Sequence, residues 1–377
     1  MALPSDFSQD FSDRLQDYGF ELPEELIAQE PAPQREDARL LVVRRDPGRG
    51  LPRFEDLRVS DLPQLVRSEP TLQNSRFVRN RSRVFPARFY ARRSTGGRHE
   101  IVLTQERSPG IWEALIRGSA HFTYPQRLVT DGAQQVEILV AGPKLLDLRN
   151  LPMPLMELLA QIGEMPLPPY IRSRDAMRDR ERYQSVWARN DKIGSVAAPT
   201  ASLHFTESLV ASLRSSGASF SDIVLHVGLG TFAPVRVENL SEHELHAEPL
   251  EVEPEAFREL SEASGTSLES SHLVPLGTTA LRTLESLPLR NLAAGPGAEL
   301  QRGPDGTWRG STRLFVRPGF QVRYSKALFT NFHLPESTLF VLVSTFAGSR
   351  KLALEAYAHA IRARYRFFSF GDASLWI

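Results

Sequence analysis

Hydrophobic spacing divides the chain into three stretches. An apolar run at 39–43 predicts a short buried strand. Before it, residues 22–28 place Pro23 and two acids ahead of Leu26 and Ile27, which predicts a helix start. From about 51 to 152 the pattern shortens. Alternating or β-branched runs at 83–90, 100–103 and 135–140 are separated by glycine-containing turn signals at 95–97, 109–110 and 131–132. Short strands so closely spaced predict a small antiparallel barrel or sandwich. Helical spacing resumes at 155–162. Beyond it, strand-like runs (223–227, 339–343) alternate with helix-like runs (207–213, 279–286, 352–365). The pattern predicts an α/β main domain, residues 1–50 and 153–377, with an inserted small antiparallel β-barrel domain over 51–152. Residues 291–313, rich in Gly, Pro and charge, read as an exposed loop.

Composition narrows this picture only in places. A chain of 377 residues accommodates about two domains. The 45 basic and 45 acidic residues balance, so net charge names no partner, although local basic patches can still bind nucleic acid. With no cysteine, disulfides, thiolate catalysis, cysteine-bound zinc and iron–sulfur clusters are excluded, which fits a reducing compartment. The first residues lack a basic start and an apolar core, and the longest apolar run, 339–347, is far below the roughly 20 residues of a membrane span. A cytoplasmic, monomeric protein without membrane attachment is expected.

The candidate chemistry lies in blocks that packing alone does not explain. Residues 194–206 read GSVAAPTASLHFT and residues 225–235 read LHVGLGTFAPV. Ala197, Gly228 and Gly230 let a ligand approach the backbone, and Pro199 fixes a turn. His204 and His226 are acid–base candidates, with a structural role equally open for each. Thr200 and Thr231 either bond a ligand or cap local turns. His246 and Glu248 read as an imidazole–carboxylate pair, not a metal site, because the spacing differs from the His-Glu-x-x-His of zinc proteases. Gly277, Thr278, Thr279 and Arg282 read as a strand end leading into a helix whose first N–H groups can hold a carboxylate, or as an ordinary capped helix. Asn331 and His333 lie in a polar loop. Arg172, Arg174 and Arg182, followed by Tyr183, form a phosphate strip or a solvated helix. Arg79, Arg81 and Arg83, interleaved with aromatics, form a nucleic-acid surface or a solvated face over an aromatic row.

Taken in order, the blocks at 22–28, 165–171, 179–184, 194–206, 225–235, 243–248, 277–286, 330–338 and 365–373 resemble the S-adenosylmethionine:tRNA ribosyltransferase-isomerase family of queuosine biosynthesis. The resemblance implies an α/β domain carrying an inserted barrel. It also implies transfer of the ribosyl part of S-adenosylmethionine to the aminomethyl group of a 7-deazaguanine at the tRNA wobble position. The sugar is isomerised to an epoxycyclopentane, and adenine and methionine are released. S-adenosylmethionine is then a consumed substrate, no resident cofactor is expected, and tRNA carrying the precursor base is the partner. On this reading His204 or His226 takes the C5′ proton made acidic by the sulfonium, and His246 or His333 protonates adenine. Arg182, Tyr183, Ala197, Pro199, Thr200, Gly228, Gly230, Thr231, Glu248, Gly277, Thr278, Thr279, Arg282 and Asn331 line the substrate pocket, and Arg79, Arg81, Arg83, Arg172 and Arg174 meet tRNA. The chain departs from the family at Ser202, where glycine is usual, and at Asn80-Arg-Ser-Arg83, where the family has Asn-Asn-Thr-Arg. A drifted member that binds RNA or S-adenosylmethionine with altered or lost turnover is the alternative. A methyltransferase is disfavoured, since no strand leads into a Gly-x-Gly turn near the N-terminus.

Overall fold

The computed structural model describes residues 10–46, 53–132, 135–168, 170–171, 180–228 and 237–377. Arg39–Val43 lies inside a four-stranded sheet, parallel to Ala373–Trp376 and antiparallel to Phe54–Arg58. Leu328–Asn331 completes that sheet beyond Ala373–Trp376. Leu40 to Val43 are fully buried, and alternate residues serve different cores, Leu41 and Val43 on one face and Leu40 and Val42 on the other. A strand covered on both faces reads as one continuous apolar run.

The second sheet has six strands in the order Leu273–Pro275, Arg76–Asn80, Ser219–Leu225, Glu248–Val252, Trp308–Thr312 and Ala298–Arg302. Its first three strands are parallel and the rest antiparallel. Parallel bridges at Leu273–Ser325 and Leu276–Phe329 join the two sheets. As a result, the carboxyl ends of Arg76–Asn80, Ser219–Leu225, Leu273–Pro275 and Leu328–Asn331 share one edge. Glu248, paired with Thr312, lies at that edge too. Ligands in open α/β sheets bind beyond such strand ends.

The third unit is a closed barrel of Arg88–Arg92, Arg98–Ser108, Ile111–Ile116, Gln126–Thr130, Glu137–Gly142 and Leu145–Asp147. Phe89, Ile101, Leu103, Leu128 and Val140 fill its interior and alternate with outward polar residues. The chain leaves the main domain after Arg83–Val84 and returns through the helix Leu155–Ile162, where Arg88 and Glu164 exchange backbone hydrogen bonds of 3.1 and 2.6 Å.

Four sequence expectations are corrected. The barrel starts at Arg88 instead of residue 51, because Phe54–Arg58 and Arg76–Asn80 pair within the main sheets. The helix expected at 22–28 is a single 3-10 turn, Glu24–Leu26, since Ile27 turns extended and bridges to Phe367. The run at 339–343 lies in a helix, Thr338–Ala347. Ser337 accepts the Phe340 N–H (3.2 Å) at its start, and Gly348 closes it at φ 77°. Burial on all sides removed the polar face that gives a helix its period. Finally, residues 291–313 contain the hairpin Ala298–Arg302 and Trp308–Thr312. Its Asp305 carboxylate accepts the Thr307 N–H (3.1 Å), and a hairpin at the sheet edge that buries only one face, with Leu300 and Trp308 against the core, has the composition of a loop. Among the described residues, no helix is long and apolar enough to cross a membrane, and no group of three or more His, Asp or Glu could hold a metal ion.

Candidate active site

Residues 194–204 cross the shared strand edge from one sheet to the other. Ile193–Ser195 pairs in parallel with Arg83–Val84. Val196 and Ala197 then donate their N–H groups to the Val227 carbonyl at 2.9 and 3.3 Å. Pro199 opens a 3-10 turn, Thr200–His204, that sets Ala201 against Gly277. A Cβ at Gly277 would lie 3.1 Å from that of Ala201, and Gly277 has φ 93°, a conformation open chiefly to glycine. At the far end the His204 ring meets Phe329 edge-on at 5.8 Å. The small residues are thus required by a segment lying flat on strand ends, and the same flatness brings His226, Gly277 and Asn331 beside one stretch of chain.

Polar atoms here are left without partners. Tyr183 Oη, Ser202 Oγ, His204 Nε2 and Asn331 Oδ1 are buried with no well-formed hydrogen bond among the described residues. Buried polar groups are nearly always bonded, so several orphans in one place mark where a polar ligand would complete them. Burial pushes the His204 pKa down to about 4, against the opposing pull of Asn331 beside it, so the imidazole is neutral near pH 7. His204 borders a small cleft lined also by Arg35, Arg182, Leu203, Phe370 and Gly371. Arg182 donates to the carbonyls of Ala32 and Pro33, and Arg35 to that of Leu203 (3.1 Å), which ties the rim to the crossing segment. Tyr183 packs edge-on against Phe370.

At the other end His226 Nδ1 is 2.9 Å from Ser82 Oγ, which is 2.6 Å from Ser195 Oγ. A Cβ on residue 194 would come within 2.6 Å of that same Nδ1, so Gly194 makes room for the ring. Burial lowers the pKa of His226 as well. Beneath this end, Glu248 and Arg282 form a buried ion pair. Glu248 Oε1 accepts the Gly228 N–H (3.1 Å), and Arg282 Nε donates to the Leu314 carbonyl (2.8 Å). Arg282, expected to line the substrate pocket, gives Nη1 to Glu248, while its buried Nη2 has no hydrogen bond among the described residues and is open to a substrate carboxylate. The helix Thr278–Ser286 begins at Gly277 with no side-chain cap, so its first N–H groups remain available for that task.

Other candidates lie elsewhere. His333, expected as a proton donor, is a core residue. Its Nε2 is 3.1 Å from Thr330 Oγ1, its N–H donates to Tyr357 Oη, and burial pushes its pKa down to about 3. Such a ring is neutral near pH 7. His246 is exposed on the approach to Glu248. Arg79 and Arg81, expected on the barrel as tRNA contacts, sit at the main sheet and share Asp222 at 2.5 and 2.7 Å. Arg83 is half-buried beside the crossing segment. Arg172, Arg174, Gly230 and Thr231 lie outside the described residues. Sequence reasoning missed Arg35 and Ser82, and it took the block at 365–373 as part of the resemblance without naming a site residue in it. Ser82 stood inside a quoted motif, but nothing in the spacing linked it to a histidine 144 residues away.

Fold and site together define an α/β protein with a barrel insert, whose ligand edge carries titratable groups and unsatisfied donors and acceptors. The chain belongs to the queuosine biosynthesis protein family, whose profile matches residues 15–376. It is similar to the S-adenosylmethionine:tRNA ribosyltransferase-isomerase of Xanthomonas oryzae pv. oryzae, 42% identical over 362 residues and covering 95% of each chain. The enzyme of that name from Desulforamulus reducens is 39% identical over 369 residues, 97% of this chain and 100% of its own. The crystal structure of S-adenosylmethionine tRNA ribosyltransferase from Thermotoga maritima is 31% identical, covers 96% of this chain and 100% of that one, and gives a TM-score of 0.49.

Proposed function

We propose that the chain is an S-adenosylmethionine:tRNA ribosyltransferase-isomerase. It transfers the ribosyl group of S-adenosylmethionine to the aminomethyl-deazaguanine at the tRNA wobble position, isomerises it to the epoxycyclopentane, and releases adenine and methionine. The observation that carries this reading is the near-complete coverage, at about 40% identity, of relatives bearing that name. The site is chemically suited to it. The sulfonium acidifies the ribose C5′ protons, so a neutral imidazole such as His204 or His226 serves as the base. The uncapped N–H groups at Thr278 and Thr279 take the methionine carboxylate, and Glu248 with Arg282 holds the Gly228 turn beneath the ligand. His246, exposed beside the site, is the group left to protonate departing adenine. S-adenosylmethionine is consumed as a substrate, and the basic residues Arg83, Arg172 and Arg174 approach tRNA.

The test is direct. Purified protein is incubated with S-adenosylmethionine and tRNA bearing the precursor base, and digested nucleosides are analysed by mass spectrometry. The epoxy nucleoside is expected, with adenine and methionine in equal amounts. S-adenosylhomocysteine would indicate methyl transfer, and no product beside a working control enzyme would leave a binding protein.

A further inference from the structure

The two histidines of the site differ in how their rings are held, and the difference follows from counting protons along a buried chain. Ser195 Oγ accepts the Val227 N–H (2.9 Å), and its only other partner among the described residues is Ser82 Oγ at 2.6 Å. Ser82 Oγ in turn reaches His226 Nδ1 at 2.9 Å. Both serines are fully buried. Each hydroxyl has one proton to give. The Ser195 proton has a single acceptor, Ser82 Oγ, so Ser82 must spend its own proton on His226 Nδ1. Running the chain the other way, with Nδ1–H donating to Ser82 and Ser82 to Ser195, would leave the buried Ser195 hydroxyl proton with no acceptor. One stranded group of that kind corresponds to roughly a tenfold or larger preference. His204 has no such relay: Asn331 lies beside it, and its Nε2 makes no well-formed hydrogen bond among the described residues.

We infer that Ser195 and Ser82 are positioning residues, forming a one-way hydroxyl relay that fixes His226 as the Nε2–H tautomer, so that it meets the substrate as a hydrogen-bond donor while removal of the C5′ proton falls to His204. The assignment rests on the proposed reaction for what the two rings do, but not for which nitrogen of His226 carries the proton. With Nδ1 occupied by the Ser82 hydroxyl and Nε2 already protonated, His226 has no lone pair to offer as a base. It can polarise a developing negative charge or a ring nitrogen of adenine. The Gly194 backbone, whose missing side chain admits the ring, packs against Nδ1, and the Pro249 carbonyl accepts the His226 backbone N–H at 2.9 Å, which fixes where the side chain leaves the strand end.

The test pairs a spectroscopic arm with a kinetic one. Two-bond ¹⁵N–¹H correlation spectra of the ¹⁵N-histidine-labelled full chain, with His226 assigned by comparison with H226Q, read the tautomer without any turnover. The expected result is an Nε2–H ring near neutral pH whose Nδ1 resonance moves toward that of an unbonded acceptor in S82A and returns in S82T. An Nδ1–H ring in the wild type, or an Nδ1 resonance unmoved in S82A, overturns the relay. In the kinetic arm, S82A lowers kcat for adenine release about tenfold with little change in KM, and S82T restores it. An unchanged kcat in S82A, or a loss that S82T does not recover, overturns the positioning role. If the wild type releases no adenine at all, the reaction reading fails, and the spectra still decide the relay.

Discussion

The barrel and the segment that crosses the strand edge bury their side chains by opposite rules. Inside the barrel, Phe89, Ile101, Leu103, Leu128 and Val140 close an apolar core. Outside it, charges are paired off: Arg92 and Arg98 on Asp131, Arg127 on Glu137, Arg117 on Glu100. At the crossing segment, Ser202 Oγ, His204 Nε2 and the nearby Asn331 Oδ1 are buried without a well-formed hydrogen bond among the described residues. Each such atom costs about 1–3 kcal/mol. A fold tolerates that cost where a ligand later supplies the missing bonds, so the contrast separates a scaffold from a site within one chain.

Substitutions on the two sides should behave differently, and the largest difference is in chemistry. H204A is expected to fold normally and to lose about 10²–10⁴-fold in adenine release, the usual contribution of a positioned base. Next is the ion pair beneath the site. E248A leaves Arg282 buried without its carboxylate and should lower the unfolding free energy by about 3–5 kcal/mol in urea titrations. In the barrel, L103A should cost about 2–5 kcal/mol through transfer and cavity terms, while turnover per folded molecule is retained. Acid should act on the main domain. In the folded chain His204 and His333 lie at about 4 and about 3, below the ordinary 6.5, so the unfolded chain binds protons that the folded one refuses. Stability is therefore full above about pH 6.5 and falls as pH drops through the window toward 4 and 3. H333Q should make that decline shallower in thermal melts at pH 7 and 4.5; an unaltered slope would remove His333 as a contributor. The smallest effect is at the barrel surface, where D131A should change stability by no more than about 1 kcal/mol.

Much of this contrast is legible in the sequence, but unevenly. The barrel announces itself because alternation and turn glycines are local signals. The helix Leu155–Ile162 and the strand at 39–43 follow from spacing and burial alone. The crossing segment is visible as a block of small residues, and its histidine as the titratable group at the end. The entry point of the barrel is not legible, because Phe54–Arg58 and Arg76–Asn80 are short strands whose partners lie far along the chain. Arg79 and Arg81 look like a free basic surface until Asp222, more than 140 residues away, is brought beside them. His204 and His333 illustrate the same limit. Both are histidines in polar blocks near a turn, and only packing distinguishes a ring at a cleft from a ring bonded to Thr330 within the core.

The central claim is that the edge, where several unsatisfied polar atoms gather, performs the chemistry, and that the barrel, where His99 Nε2 stands apart from any such cluster, supports it. It is tested most directly by adenine release from S-adenosylmethionine and precursor tRNA, measured for wild type, H204A and L103A at equal concentrations of folded protein. The account predicts near-wild-type release for L103A and a loss of at least about 100-fold for H204A. Wild-type release by folded H204A would contradict it.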